Sequence, residues 1–257
     1  MNMDTIDLCE KYRPTKFCEI LGNKFATQYL RNSCLTGINP NGIIIHGDKG
    51  TGKNTLAHVY SKSKTCENFQ GEPCGECNSC RSLESNYPEG SALSGVSLFD
   101  CTEIDEKLLN EIIRRRLGFH SLNKIEKNIV IFDEFHRIRD RCQDKFLNPL
   151  IKSKHDLFIF LLIDLSEIEA ALQQRSIILV TERPEMGEII PWLHKICERE
   201  DIIVKDNDAL VHLATQADRL ARGCLKLIET LAVYGEPLTV NLVKKIFKHR
   251  RSIRNED

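Results

Sequence analysis

The sequence has no long apolar run: its longest, Leu157 to Ile163, is seven residues, far short of the roughly 20 that span a bilayer. Nor does it have charge of one sign to spare. Its 36 lysines and arginines meet 37 aspartates and glutamates, a net charge of −1, so no global attraction draws it to nucleic acid. The opening Met1-Asn2-Met3-Asp4-Thr5-Ile6-Asp7 lacks a charged segment leading into an apolar one, which argues against secretion. No internal repeat or low-complexity stretch is present. At 257 residues, 41% hydrophobic and 28% charged, the chain can hold one α/β domain and a small second one. Basic residues cluster only locally, at Arg114-Arg115-Arg116 and from Lys244-Lys245 through Lys248, Arg250, Arg251 and Arg254. Such runs are more often solvated helix faces than binding patches.

What is present is a glycine-rich turn between a β-branched strand and a helix. Ile43-Ile44-Ile45-His46 leads into Gly47-Asp48-Lys49-Gly50-Thr51-Gly52-Lys53-Asn54-Thr55, and Ala57 to Ser63 continues as helix. The phosphate-loop pattern is Gly, four residues, then Gly-Lys-Ser/Thr. Gly47, Gly52 and Lys53 comply, and Gly50 adds a further flexible point. Such a loop points successive N–H groups at phosphate oxygens, and the helix N-terminus adds partial positive charge. Lys53 is the mobile cation for the β- and γ-phosphates. Asn54 stands where a hydroxyl residue normally binds magnesium; its amide oxygen can ligate, but the side chain is longer and neutral. Thr55 comes one residue late.

Cys66, Cys74, Cys77 and Cys80 follow that helix directly, with Gly71, Pro73 and Gly75 between them for tight turns. Four closely spaced thiols form a closed tetrahedral zinc shell, which marks a structural site. A disulfide framework is the alternative. The other cysteines, at 9, 18, 34, 101, 142, 197 and 224, are scattered singly, as in a reducing, cytoplasmic compartment.

Apolar strands are expected at Ile43–His46, Val96–Asp100, Asn128–Phe132, Leu157–Ile163 and Ile177–Thr181. Helical patterns fill the gaps at Asn54–Ser63, Asp105–Leu117, Cys142–Lys152 and Ser166–Leu172. That alternation indicates an α/β fold with a five-stranded parallel sheet covered on both faces. After Pro184 the pattern is helical only, over Glu185–Arg199, Asn207–Gln216, Ala221–Tyr234 and Val240–Lys248. The expected division is a nucleotide-binding domain over 1–183, with a zinc module near 64–84, then a helical lid over 184–250 and a frayed tail over 251–257. The third strand ends in Asp133-Glu134. A strand-end Asp-Glu is often only a surface turn, but downstream of a phosphate loop Asp133 suits the metal and Glu134 the attacking water.

In this order the phosphate loop, four-cysteine knuckle, Asp-Glu strand and Gln174-Arg175-Ser176 resemble the AAA+ clamp-loader subunits of bacterial replicases, the DNA polymerase III gamma/tau family foremost. Lys11-Tyr12-Arg13-Pro14 is similar to that family's N-terminal signature, and Phe132-Asp133-Glu134-Phe135-His136 to its Asp-Glu-x-His box. The resemblance covers about residues 8–245. It implies ATP, Mg²⁺ and structural Zn²⁺ as cofactors, with Tyr12 and Arg13 against adenine and ribose. It also implies an arginine, Arg175, that reaches a neighbour's ATP, and a lid sensor at Lys226. The implied partners are other clamp-loader subunits, a sliding clamp and primer–template DNA, in a hetero-oligomer without a membrane.

The departures from that pattern bear on activity. Asn54 replaces the magnesium-binding hydroxyl, Ile163 stands where the family has a polar γ-phosphate sensor, and Lys226 replaces an arginine, losing its fork. The family's helical collar is not expected in a chain of this length. No paired aspartates of a polymerase palm can be located. Three readings follow: a working clamp-loader ATPase with weakened hydrolysis, a non-hydrolysing delta-prime-like scaffold supplying Arg175, or a diverged P-loop regulator outside replication. For Arg175 the plain alternative is a surface residue capping the helix before it.

Overall fold

A computed structural model describes residues 7–85, 90–91, 95–116, 128–153 and 155–254. In chain order the elements are α1 (Leu8–Lys11), α2 (Lys24–Thr36), β1 (Gly42–His46), α3 (Lys53–Thr65), α4 (Asn78–Ser85), β2 (Gly90–Ser91), β3 (Val96–Asp100), α5 (Glu106–Arg116) and β4 (Asn128–Asp133). They continue with α6 (Asp140–Gln143), α7 (Leu147–Lys152), β5 (Asp156–Leu162), α8 (Ala170–Gln173), β6 (Ile177–Val180), α9 (Met186–Arg199), α10 (Asn207–Gln216), α11 (Ala221–Ala232) and α12 (Val240–Arg254). Two compact units result: Pro14–Thr181, and the residues up to Arg13 together with those from Glu182 onward.

In the first unit the strand order is β2-β3-β4-β5-β1-β6. The five expected strands all form, each within a residue of its expected ends, and pair in parallel. The short β2 joins the edge antiparallel to β3. Alternate residues of a strand face opposite sides, so near-continuous apolar strands fill two cores at once. Ile43, Ile45, Ile129, Ile131, Ile159 and Leu161 pack under Leu30 of α2 and Leu56, Val59 and Tyr60 of α3. Ile44, Val130, Phe132, Phe158 and Phe160 pack on the other face against Leu109, Ile112, Phe135, Phe146 and Leu150. Edge-to-face aromatic pairs bind this second core: Phe132 and Phe146 lie 5.0 Å apart at 79°, and Phe146 and Phe160 5.4 Å apart at 86°.

Two expected helices are broken. The segment 142–152 divides into α6, a 3-10 turn over Asp144–Phe146, and α7. Pro149 has no N–H for the Lys145 carbonyl and would clash with it in a continuous helix. The buried Gln143 holds the break, donating to the Ile138 and Glu167 carbonyls and accepting from the Glu169 N–H. The segment 166–172 becomes a 3-10 turn, Leu165–Glu167, and then α8, because Ile168 turns extended and buries itself between them. Gln173 donates to the Leu165 and Ile168 carbonyls and closes the bend.

The second unit is helical, and its membership differs from the expected lid over 184–250. Residues 7–13 belong to it rather than to the nucleotide domain. Leu8 is buried and its N–H donates to Glu229 at 2.6 Å; Lys226 reaches Asp7 at 2.9 Å; Lys11 reaches Glu200 at 2.6 Å. These polar contacts between residues distant in sequence lie outside any local pattern. Asp206 caps α10, and a parallel bridge joins Val204 to Leu238. The tail expected to fray from 251 is helical through Arg254, and 255–257 lie outside the described residues.

Phe160 touches four other phenylalanines of the second core. Phe160→Ala should therefore cost about 3–5 kcal/mol, read from denaturant midpoints. Phe25→Ala, at a position 76% exposed, should stay within about 0.5 kcal/mol of the parent.

Candidate nucleotide-binding site and cysteine metal centre

The phosphate loop leaves the carboxyl end of β1, where parallel pairing sets His46 beside Leu162 of β5 and Val180 of β6. Gly47 has φ +145°, and a Cβ there would run into the Thr181 backbone, so only glycine fits. Gly52 caps α3 with φ +98°, which turns the chain into the helix. Between them the Thr51 hydroxyl bonds the Asp48 carbonyl and the Thr181 hydroxyl, at 2.8 and 2.7 Å, and Asn23 donates to the Thr51 carbonyl. Asn23, Thr51 and Thr181 thus brace the loop; sequence reading gave them no role because only the strand order brings them together. Lys53 Nζ donates into the loop, to the Gly47 and Asp48 carbonyls at 2.7 and 2.9 Å. Burial lowers its pKa below the usual lysine value. The glycine turns and the lysine fit a polyphosphate.

Asp133 ends β4 beside Asp100 of β3, and Glu134 follows in a left-handed conformation, φ 51°. Burial raises the Asp133 pKa, with the nearby Glu134 and Asp100 charges adding to it. The Glu134 N–H donates to Asp133 Oδ1 at 2.9 Å, while Asn54 Nδ2 lies 2.7 Å from Asp133 Oδ2. It is Asn54, not Thr55, that faces the carboxylate. A magnesium ion there would need oxygen ligands from both sides; the group presented by Asn54 is an N–H donor, so these residues do not fit the ion in the usual way. His136, from the Asp-Glu-x-His box, sets Nε2 3.4 Å from Glu134 Oε2. Its place two residues past the glutamate was the available signal for that contact. Ile163 follows Leu162, whose carbonyl accepts the Gly47 N–H at 3.3 Å. It lies one residue past the carboxyl end of β5 and has no hydrogen-bonding side-chain atom.

Arg175 is exposed, and its Nη1 donates to the Ala171 carbonyl at 2.8 Å, the helix-capping contact of the plain alternative. It precedes Ile177, which pairs with Ile43 at the amino end of β1, whereas the phosphate loop leaves the carboxyl end. At about 3.3 Å per residue the strand separates the two by more than roughly 10 Å. Tyr12, Arg13 and Lys226 fall in the other unit, where each has a carboxylate partner. The Tyr12 hydroxyl bonds Glu200, and burial with that bond pushes its pKa up to about 12. Arg13 pairs with Glu10 at 2.6 Å. Lys226 pairs with Asp7 and Glu229, both at 2.9 Å, and these carboxylates raise its pKa.

The four cysteines converge. Their sulfurs all lie within 4.8 Å of one another, with Cys74 and Cys80 4.0 Å apart. A zinc ion with Zn–S bonds of 2.3 Å places its sulfurs about 3.8 Å apart, so the donor set fits. Backbone N–H groups of Cys77 and Glu76 donate to the Cys74 sulfur and lower its pKa to about 6, while burial raises those of Cys66 and Cys80. The knuckle is anchored through Arg31 of α2, which donates to the Gly71 carbonyl at 2.8 Å, and through Lys62, 1% exposed, paired with Glu84 of α4.

A family model described as DNA polymerase III, delta subunit, matches residues 22–147. The gamma/tau subunit of DNA polymerase III from Mycoplasma pneumoniae is 28% identical over 246 residues, 93% of this chain and 35% of that protein. Protein STICHEL-like 1 of Arabidopsis thaliana is 27% identical over 93% of this chain and 21% of that protein. The chain thus spans about a third or less of these relatives. Among solved structures, the Thermotoga maritima RuvB Holliday junction branch migration motor superposes with TM-score 0.65 and 13% identity, over 92% of this chain and 72% of that one. That likeness shows the AAA+ fold alone.

Elemental analysis of chelator-washed protein should find about one zinc per chain, the content of one closed four-thiolate shell. Cys77→Ser should lose the metal and lower the unfolding temperature. Metal-free protein that is folded and unoxidised would contradict the assignment.

Proposed function

Since the chain belongs to the AAA+ clamp-loader family, we propose that it is a gamma/tau-like subunit that binds ATP and helps load a sliding clamp on primed DNA, with impaired hydrolysis. The observation that carries the reading is the braced glycine loop with Lys53 turned into it, one strand away from Asp133 and Glu134. Loop N–H groups and the Lys53 ammonium hold the phosphates. Glu134, held against His136, is the group for an attacking water. Two features weaken hydrolysis: Ile163 offers the γ-phosphate no hydrogen bond, and Asn54 is engaged with Asp133. Zn²⁺ in the cysteine knuckle serves structure. In the lid, Lys226 carries the charge of a sensor but is held by Asp7 and Glu229. Tyr12 and Arg13 are the proposed adenine and ribose contacts.

The partners proposed are other clamp-loader subunits, the clamp and primer–template DNA, in the cytoplasm. Arg175 favours action through a neighbour. It is exposed and lies at the strand edge opposite this chain's own loop. A guanidinium supplied in trans stabilises charge on the transferred phosphoryl group, an effect worth roughly 10³–10⁵ in rate. A delta-prime-like scaffold is the second reading, and it differs only in how little ATP turns over at this chain's own site.

Two variants separate the roles. Lys53→Ala should weaken ATP binding at least about tenfold, the loss of 1.4 kcal/mol. Arg175→Ala should leave this chain's ATP affinity intact and lower the DNA-stimulated ATPase of a reconstituted assembly. An unchanged assembly rate, with the variant incorporated, would reduce Arg175 to a helix cap and favour a regulator outside replication.

A further inference from the structure

Asn54 sits one residue inside α3, and its carboxamide reaches the carboxyl end of β4. Asp133 there accepts two hydrogen bonds, one on each oxygen: the Glu134 N–H at 2.9 Å on Oδ1 and Asn54 Nδ2 at 2.7 Å on Oδ2. An ionised carboxylate only accepts, so Asn54 must present its NH₂ group here and not its oxygen. Magnesium requires the reverse, an octahedron of oxygens at about 2.0–2.1 Å. The side chain between loop and carboxylate is thus a donor standing where a cation would stand. Turning the carboxamide over would set its oxygen against Asp133, so an incoming ion must first break the Asn54–Asp133 bond. Lys53, with Nζ on the Gly47 and Asp48 carbonyls, supplies positive charge within the loop without any ion.

We propose that Asn54 fills the magnesium position, so that the chain takes a nucleoside triphosphate with no divalent ion bridging the phosphates to Asp133. This rests on the nucleotide-binding reading above and makes that binding metal-independent. The loop N–H groups, the N-terminus of α3 and Lys53 carry the whole attraction for phosphate. The Asn54–Asp133 hydrogen bond holds the acidic strand in place of the ion.

Equilibrium dialysis of ATP against the full chain tests this, once in excess Mg²⁺ and once in excess EDTA. The two dissociation constants should agree within about threefold, and Asn54→Thr should bind at least about tenfold more tightly with Mg²⁺ than without. Asn54→Ser serves the same purpose if the threonine variant is unfolded by thermal melting. In the Asn54→Thr background, Asp133→Asn should abolish the Mg²⁺ preference. A parent chain that binds tenfold or more tightly with Mg²⁺ overturns the inference and leaves the nucleotide reading standing. A parent chain that binds ATP in neither buffer overturns the nucleotide reading and this inference together.

Discussion

The site depends on the in-register parallel pairing of β4, β5 and β1. Phe132 pairs with Phe160, and His46 with Leu162, so the carboxyl ends of the three strands finish within a few residues of one level. With β5 between them, β4 and β1 stand about 9–10 Å apart, two strand spacings. The first turn of α3 bridges that gap and brings Asn54 to Asp133. The register in turn follows from strands apolar on both faces, since a slip of one residue would exchange the isoleucine face for the phenylalanine face. The packing on α2 and α3 and the aromatic core below are therefore conditions for the chemistry above.

Sequence alone revealed the strands well, because buried β-branched and aromatic runs such as β1, β4 and β5 have few other places to go. It revealed the glycine loop and the cysteine knuckle for a related reason: both are local, with their parts within a few residues of each other. It failed where distant polar contacts decide the local path. Gln143 and Gln173 hold two bent segments that read as continuous helices, with Pro149 forbidding the first. The segment up to Arg13 reads as part of the nucleotide domain but folds with the helical unit through Glu200 and Glu229. Asn54 read as a missing ligand; only the structure shows that it is a present donor with a specific acceptor.

The departures from the family pattern form a consistent set. Ile163 offers no hydrogen-bonding side-chain atom and Asn54 is engaged with Asp133, while Arg175 lies toward the amino end of β6 and bonds the Ala171 carbonyl. The cysteine knuckle is tied to α2 by Arg31 and to α3 by Lys62.

A crystal structure of the chain with ATP, grown with Mg²⁺ in the drop, tests the central claim most directly. The account predicts phosphates cradled by the glycine loop, with Asn54 still hydrogen-bonded to Asp133 and no ion between them. An octahedral ion linking the phosphates to Asp133, with Asn54 turned aside or ligating it, would contradict the account.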